Sequence, residues 1–328
     1  METGRYLYGI IETERRESFG NIGLGNSEVY TIQCTDIGAV VSDIPVDYKV
    51  QIEEAIAHEK TLQKIMETRT IIPMGFGVIA RNESGIINIL RRGQMKFKNM
   101  LEKIDNKLQI NVKISWDNAV LMDIFKENEE IQAFSARVNK TASQSLKIEL
   151  GKKVKSALDQ RENECMRDIR GILGDLSSGF KENKIAHQDT IMDASFLVDK
   201  EKKQRFYDKL EELEKRYDKK LRFLCVGSLP PYNFTEIEIK KVDFKTVDNA
   251  RNTLRLGQEV SLSEISSAYN QLARKYHPDF HLDDPLAEEK FRKIKNAHEL
   301  LTKYCEHYLC SLEKTNVEET IIIQEKTD

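Results

Sequence analysis

The sequence predicts an α+β protein: two small α+β units of ferredoxin-like layout, joined by long helices and followed by an all-α helical hairpin. Three observations point there. Strand-like alternation at residues 6–11, 29–34, 37–42 and 108–116 surrounds two helical stretches. A strand–helix–strand pattern recurs over residues 192–229. Two amphipathic helical stripes then face each other across a short polar loop within residues 248–303.

The first unit is expected to occupy residues 1–117. Tyr6, Tyr8 and Ile10 alternate with Leu7 and Ile11 in a run rich in strand formers. Two further runs, 29–34 and 37–42, are separated by the turn-like Thr35-Asp36. Pro45 and Asp47 open a helix over about 48–67, with Ile52, Ala55, Ile56, Leu62, Ile65 and Met66 on its buried side. A short strand at 70–73, a second helix over about 83–105 and a period-2 strand at 108–116 complete the unit.

Residues 118–240 form the second part. Helical periodicity runs to about Lys184, and the charged faces of 143–176 suit a long exposed helix. A strand at 192–198, a charged amphipathic helix at 201–220 and a strand at 221–229 follow, closed by Pro230-Pro231. The mixed charges of that helix, at i, i+4 spacing, read as a solvated face.

The hairpin is expected within 248–310. Ser261-Leu262-Ser263-Glu264 has the capping-box pattern, in which the two side chains satisfy amide groups left unpaired at a helix start. Ile265, Ala268, Tyr269, Leu272, Ala273 and Tyr276 make the first stripe. Asp284-Pro285 is a helix start, and Phe291, Ile294, Ala297, Leu300 and Leu301 make the second stripe. Residues 311–328 read as a flexible tail.

Composition narrows the function. Lys and Arg number 51 against 54 Asp and Glu, a net charge of −3, which removes the simplest electrostatic case for a nucleic-acid partner. No window approaches the roughly 18 uninterrupted apolar residues of a membrane span, and METGRYLYGIIETERR lacks signal-peptide character. Five cysteines, an odd count with no CxxC pair, suggest reduced thiols in a cytosolic protein.

Catalytic and metal patterns are wanting. The glycine cluster 20–25 lacks the Gly-Lys-Ser/Thr ending of a phosphate loop and reads as a hairpin or connection. His58-Glu59 starts an HExxH-like motif, but Leu62 stands where the second histidine belongs, so packing or a surface hydrogen bond is expected. His277 and His281 flank Pro278 in a loop, which disfavours helical i, i+4 metal ligation, and Cys305 and Cys310 lie outside zinc-knuckle spacing. No cofactor, metal or enzymatic activity is expected of this chain.

Two resemblances supply what composition does not. His277-Pro278-Asp279, set between the two helices and preceded by the pattern LxL(x8)IxxAYxxLARKYHPD from Leu254, resembles a J domain of the DnaJ type. The resemblance implies contact with a DnaK-type chaperone and stimulation of its ATP hydrolysis through His277, Pro278 and Asp279, helped by Arg274 and Lys275. Pro fixes the backbone there, while His and Asp present a donor and an acceptor. The chain departs from the family at Asn270 and Gln271, in a helix that is usually more basic, and at Cys305–Tyr308, where a basic helix is usual.

Residues 5–239 resemble the gas vesicle protein GvpF/GvpL family. The resemblance is carried by Arg5-Tyr6-Leu7-Tyr8-Gly9-Ile10, by residues 36–42 (DIGAVVS), Ala57-His58-Glu59 and 72–78 (IPMGFGV). It continues through 193–199 (DASFLVD) and 227–234 (GSLPPYNF). Gly75 stands where the family often carries a basic residue.

That resemblance implies a non-enzymatic protein needed for making gas vesicles, cytoplasmic and vesicle-associated. Its expected partners are the small hydrophobic shell protein, other accessory gas vesicle proteins and, through the hairpin, a DnaK-type chaperone. The leading expectation is an assembly factor that recruits the chaperone. The alternatives are a shell-associated structural protein whose hairpin only docks, and a general co-chaperone.

Overall fold

The computed structural model describes residues 3–117, 127–141, 144–185, 189–218, 220–235, 237–241, 243–277, 287–305, 310–319 and 321–325. It is a mixed α+β structure that divides into two compact units. One comprises Met1–Leu62, Pro73–Asn99 and Glu236–Asp328; the other comprises Gln63–Ile72 and Met100–Thr235.

The first unit begins with strands β1 (Thr3–Glu12), β2 (Ser18–Gly20), β3 (Val29–Cys34) and β4 (Ile37–Pro45). They pair antiparallel in the order β2-β3-β4-β1, with the short strand β6 (Ile79–Ala80) also antiparallel on β1, while the short strand β5 (Ile71–Pro73) falls mostly in the other unit. β1 runs against β4 from Thr3↔Pro45 to Glu12↔Ile37. Its residues Tyr6 to Ile11 are all buried, so both of its faces are covered and the run reads as almost continuously apolar. The β3–β4 turn puts Thr35 in the left-handed region, at φ 57°.

Asp36 in that turn accepts hydrogen bonds from Lys98 and Gln94 of helix α2 (Glu83–Lys103). Those bonds, led by the one from Lys98, hold its carboxyl down at about 2.

Helix α1 is shorter than the sequence predicts. It spans Ala55–Met66 after a single 3₁₀ turn at Ile52–Glu54. The predicted buried side is also shifted. Ile52 and Ile56 are 76% and 65% exposed, whereas His58 and Thr61 are buried at 2% and 1%. Leu62, Ile65 and Met66 are buried as expected. The buried stripe thus runs 58, 61, 62, 65, 66, and two polar residues occupy it because each finds hydrogen-bond partners there.

The second unit contains strands β7 (Lys107–Trp116), β8 (Gly179–Glu182), β9 (Thr190–Asp199) and β10 (Leu221–Leu229). They form an antiparallel sheet of order β10-β7-β9-β8. Two helices, α3 (Glu129–Thr141) and α4 (Gln144–Gly174), lie between β7 and β8, and α5 (Lys203–Arg216) lies between β9 and β10. Period-2 alternation sends Leu108, Ile110, Val112 and Ile114 to one buried face. Phe196 of β9 and Phe206 of α5 meet with ring centroids 5.3 Å apart. Leu210 and Leu213 continue the buried stripe of α5, while Lys209–Glu212 and Lys215–Glu211 pair on its exposed side. Near the start of α3, Ile131 packs with Trp116 and with Leu150, Val154, Ala157 and Leu158.

A helical module follows residue 242. Helix α6 (Phe244–Leu254) is capped by Asp243, whose side chain accepts the Thr246 amide, and ends at Arg255 with φ 58°. Helix α7 (Leu262–Lys275) starts with the predicted capping box, Ser261 and Glu264 each bonding the other's backbone amide. Helix α8 spans Ala287–Tyr304. The Asp284-Pro285 helix start lies outside the described residues.

The last stretch has more structure than a tail. Strand β13 (Cys310–Ser311) pairs with β12 (Glu259–Val260), helix α9 spans Lys314–Glu319, and β14 (Ile321–Glu325) pairs antiparallel with β11 (Ile237–Lys241). Val247, Leu254, Ile265, Leu272, Ile294 and Leu301 share a buried core with Leu312 and Val317 from this stretch.

The cysteine expectation is corrected here. Cys305 and Cys310 are joined in a disulfide, with Cα atoms 5.5 Å apart, whereas Cys34, Cys165 and Cys225 are free. Cys305 directly follows α8 and Cys310 opens β13, and their spacing resembles no familiar motif.

Candidate functional site

Three clusters contain the residues that the sequence singles out. The first is the end of the helical hairpin at which α7 finishes and α8 begins. α7 ends at Tyr276, whose amide bonds the Leu272 carbonyl. His277 follows at once, half-buried, with its ring edge-on to Phe291 of α8 at 5.1 Å. Arg274 and Lys275 are exposed on the last turn of α7, where positive charge complements the negative end of the helix dipole. Lys275 and Lys290 approach the Tyr276 ring with their Nζ atoms 5.5 and 5.9 Å from its centroid.

The two helices are further locked by Tyr269 of α7 stacked on His298 of α8 at 4.2 Å. Together these contacts hold the two helices against each other, with Arg274 and Lys275 on the last turn of α7 and Glu288 and Glu289 on the first turn of α8. Pro278 and Asp279 lie outside the described residues. The helical spacing of Lys290, Tyr269 and His298 alone does not separate them from ordinary surface residues.

The second cluster explains His58. Its Nε2 lies 3.2 Å from the Met74 carbonyl oxygen and its Nδ1 lies 2.9 Å from the Tyr6 hydroxyl. A carbonyl only accepts, so Nε2 carries the proton and Nδ1 accepts from Tyr6. The Tyr6 oxygen in turn accepts the Gly77 amide at 3.1 Å. Tyr8 stacks on the imidazole at 5.5 Å, accepts the Leu24 amide at 2.9 Å and shares a hydrogen bond with Ser42.

Thr61 completes the lock by donating to the Ile22 carbonyl at 2.6 Å. A Cβ on Gly23 would sit 2.8 Å from the Tyr8 hydroxyl, which is why the glycine cluster comes so close. Burial pushes the His58 imidazole down to about 4 and raises both tyrosines. With both ring nitrogens occupied and the ring neutral, this histidine pins two loops rather than moving protons.

The third cluster sits on β7 and β9. Asn233, just after Pro230-Pro231, donates to Ser195 at 2.7 Å and to Asn183 at 3.0 Å. Its amide donates to Gln109 at 2.9 Å. Ser195 donates to Asn111 at 2.9 Å, and Asn183 donates to Asp193 at 2.7 Å. Ser195 and Asn233 belong to the segments that carry the family resemblance; Asn111 and Asn183 had no local signal. The network fastens the Pro-Pro-Tyr-Asn-Phe turn to the sheet.

Among the described residues no group of three or more His, Cys, Asp or Glu is placed to hold a metal. No helix among them is long and apolar enough to cross a membrane.

Hydrogen-bonded turns fastened to sheets, followed by a capped helical hairpin, define an α+β scaffold carrying a helical module. The chain belongs to the gas vesicle synthesis protein GvpL/GvpF family, which matches residues 4–236, and a DnaJ domain matches residues 249–304. It is 29% identical over 243 residues to gas vesicle protein F1 of Halobacterium salinarum, covering 73% of this chain and 96% of that one. Its fold is similar to the crystal structure of gas vesicle protein GvpF from an Anabaena species, with a TM-score of 0.63, 24% identity, and 71% and 98% of the two chains covered. The hairpin region is 51% identical over 49 residues to chaperone protein DnaJ of Halothermothrix orenii, which is 15% of this chain and 13% of that one.

Proposed function

We propose that this chain is a cytoplasmic gas vesicle assembly factor that delivers a DnaK-type chaperone to shell-forming subunits. One observation supports the reading most. A GvpL/GvpF region at residues 4–236 and a DnaJ domain at 249–304 share one polypeptide, separated by a short connection.

The GvpL/GvpF region holds the small apolar shell protein, or another accessory vesicle protein, while it is prone to aggregate. His277, Pro278 and Asp279 contact the chaperone, and Arg274 and Lys275 supply positive charge beside them. ATP is hydrolysed by the chaperone, and the chain itself carries out no reaction.

Joining the two tasks has a calculable advantage. A covalent link gives effective concentrations on the order of millimolar. A chaperone contact with a Kd of roughly tens of micromolar is then locally saturated, a gain of about 2–3 kcal/mol by mass action.

The test is vesicle formation in cells supplied with wild-type protein or with His277→Gln at equal abundance. The reading expects far fewer vesicles with the variant, while shell protein still co-purifies with it. Undiminished vesicle formation with His277→Gln would favour a hairpin that only docks. Loss of shell-protein co-purification from the wild type would remove the scaffold half of the proposal.

A further inference from the structure

Beyond α8, the chain folds back as a strap. Tyr304 at the helix end donates its hydroxyl to the Ser311 carbonyl at 2.9 Å, and the Leu312 amide donates to the Gln258 carbonyl at 2.6 Å. Val260 of β12 pairs with Cys310 of β13. Leu312 and Val317 then enter the module's core at 1% and 0% exposure. The strap's pairing with β12 is two residues long, too short to be stable without other support. The covalent contact supplies that support, since Cys305 is wholly buried in the core and Cys310, bonded to it, is only partly buried.

We infer that Cys305 and Cys310 form a thiol–disulfide exchange site whose state decides whether the strap is latched to the helical module. A dithiol reductant attacks Sγ of Cys310, the more accessible sulfur. The Cys305 thiolate leaves and takes up a proton. The reductant's second thiolate then displaces Cys310, so two electrons pass to the protein disulfide and the dithiol becomes a disulfide. Closure runs by the reverse exchange with a small disulfide such as oxidised glutathione.

Once open, the strap loses its covalent tie and keeps only non-covalent contacts, among them its two-residue pairing with β12 and the buried Leu312 and Val317. It then releases the core more often, as local unfolding of a weakly paired segment requires. The inference extends the proposed function by making the module's integrity redox-dependent, and its structural test does not depend on that function.

The experiment uses the full chain, purified without reductant. Alkylation after denaturation should modify three cysteines, Cys34, Cys165 and Cys225, and should modify all five only after dithiothreitol. Amide exchange across residues 310–319 in native protein should quicken roughly tenfold on reduction. A Cys305→Ser/Cys310→Ser variant should exchange at the fast rate with or without dithiothreitol. Modification of all five cysteines in the unreduced chain would overturn the inference, as would exchange in wild type that dithiothreitol leaves unchanged. The wild-type comparison decides the matter even if the double variant folds poorly.

Discussion

The GvpL/GvpF region and the helical module build their interiors from different materials. Tyrosines aside, every buried polar side chain among the described residues, from Thr13 to Thr235, lies before residue 236. The module's core is apolar except for the sulfur of Cys305 and the hydroxyl of Tyr304, which donates to the Ser311 carbonyl, while Asp243, Ser261 and Glu264 cap helices. Buried polar groups are tolerated only when hydrogen-bonded, so they fix one arrangement of the loops they touch. His58 sets the 74–77 loop, and Asn233 sets the turn after β10. The first region thus spends its polar residues on shape. The module leaves them outside, where a partner can reach them.

The largest test of this contrast is acid. His58 stays neutral in the folded chain, with its pKa lowered from 6.5 to about 4. The unfolded chain therefore binds more protons between those values, and stability is complete above pH 6.5 and falls as pH drops through about 4. The loss should reach about 3 kcal/mol for the region containing β1 and α1. Urea unfolding at pH 7, 5.5 and 4 checks it, and His58→Gln should give a visibly shallower dependence. Equal slopes for the two proteins would mean that His58 is not the group responsible.

A smaller effect is expected from Asn233→Ala, which strands partners on Ser195 and Asn183 and should cost about 2 kcal/mol. Faster amide exchange in the turn and in β9 would register it. In the module, Val317→Ala removes two methyl groups from a fully buried side chain and should cost roughly 1–2 kcal/mol. Its effect should appear in exchange of α6 and α8, with no change in pH dependence. If Val317→Ala proved neutral, the strap would not belong to the core.

How much of this was legible in the sequence follows from the same contrast. The period-2 pattern of residues 108–116 and the stripes of α7 and α8 translate directly into buried faces, because those cores are apolar. The same reasoning turned α1 the wrong way, burying Ile52 and Ile56 and leaving His58 undecided. Hydropathy cannot foresee that an imidazole will find a tyrosine 52 residues away and a carbonyl 16 residues away. Long-range pairings escaped for a related reason. β11 and β14 are separated by the whole helical module, and nothing local in Ile237–Lys241 announces its partner. The Cys305–Cys310 bond matches no motif that spacing alone reveals. At the hairpin end, the motif singles out His277, Arg274 and Lys275, while the approach of Lys290 to the Tyr276 ring emerges only from the fold.

The proposed function requires the module to engage a DnaK-type chaperone through this end. The direct measurement is steady-state ATP hydrolysis by the host's DnaK-type chaperone with the full chain added, wild type beside His277→Gln. The account predicts stimulation by wild type and none by the variant. No stimulation by wild type, or equal stimulation by both, would contradict it.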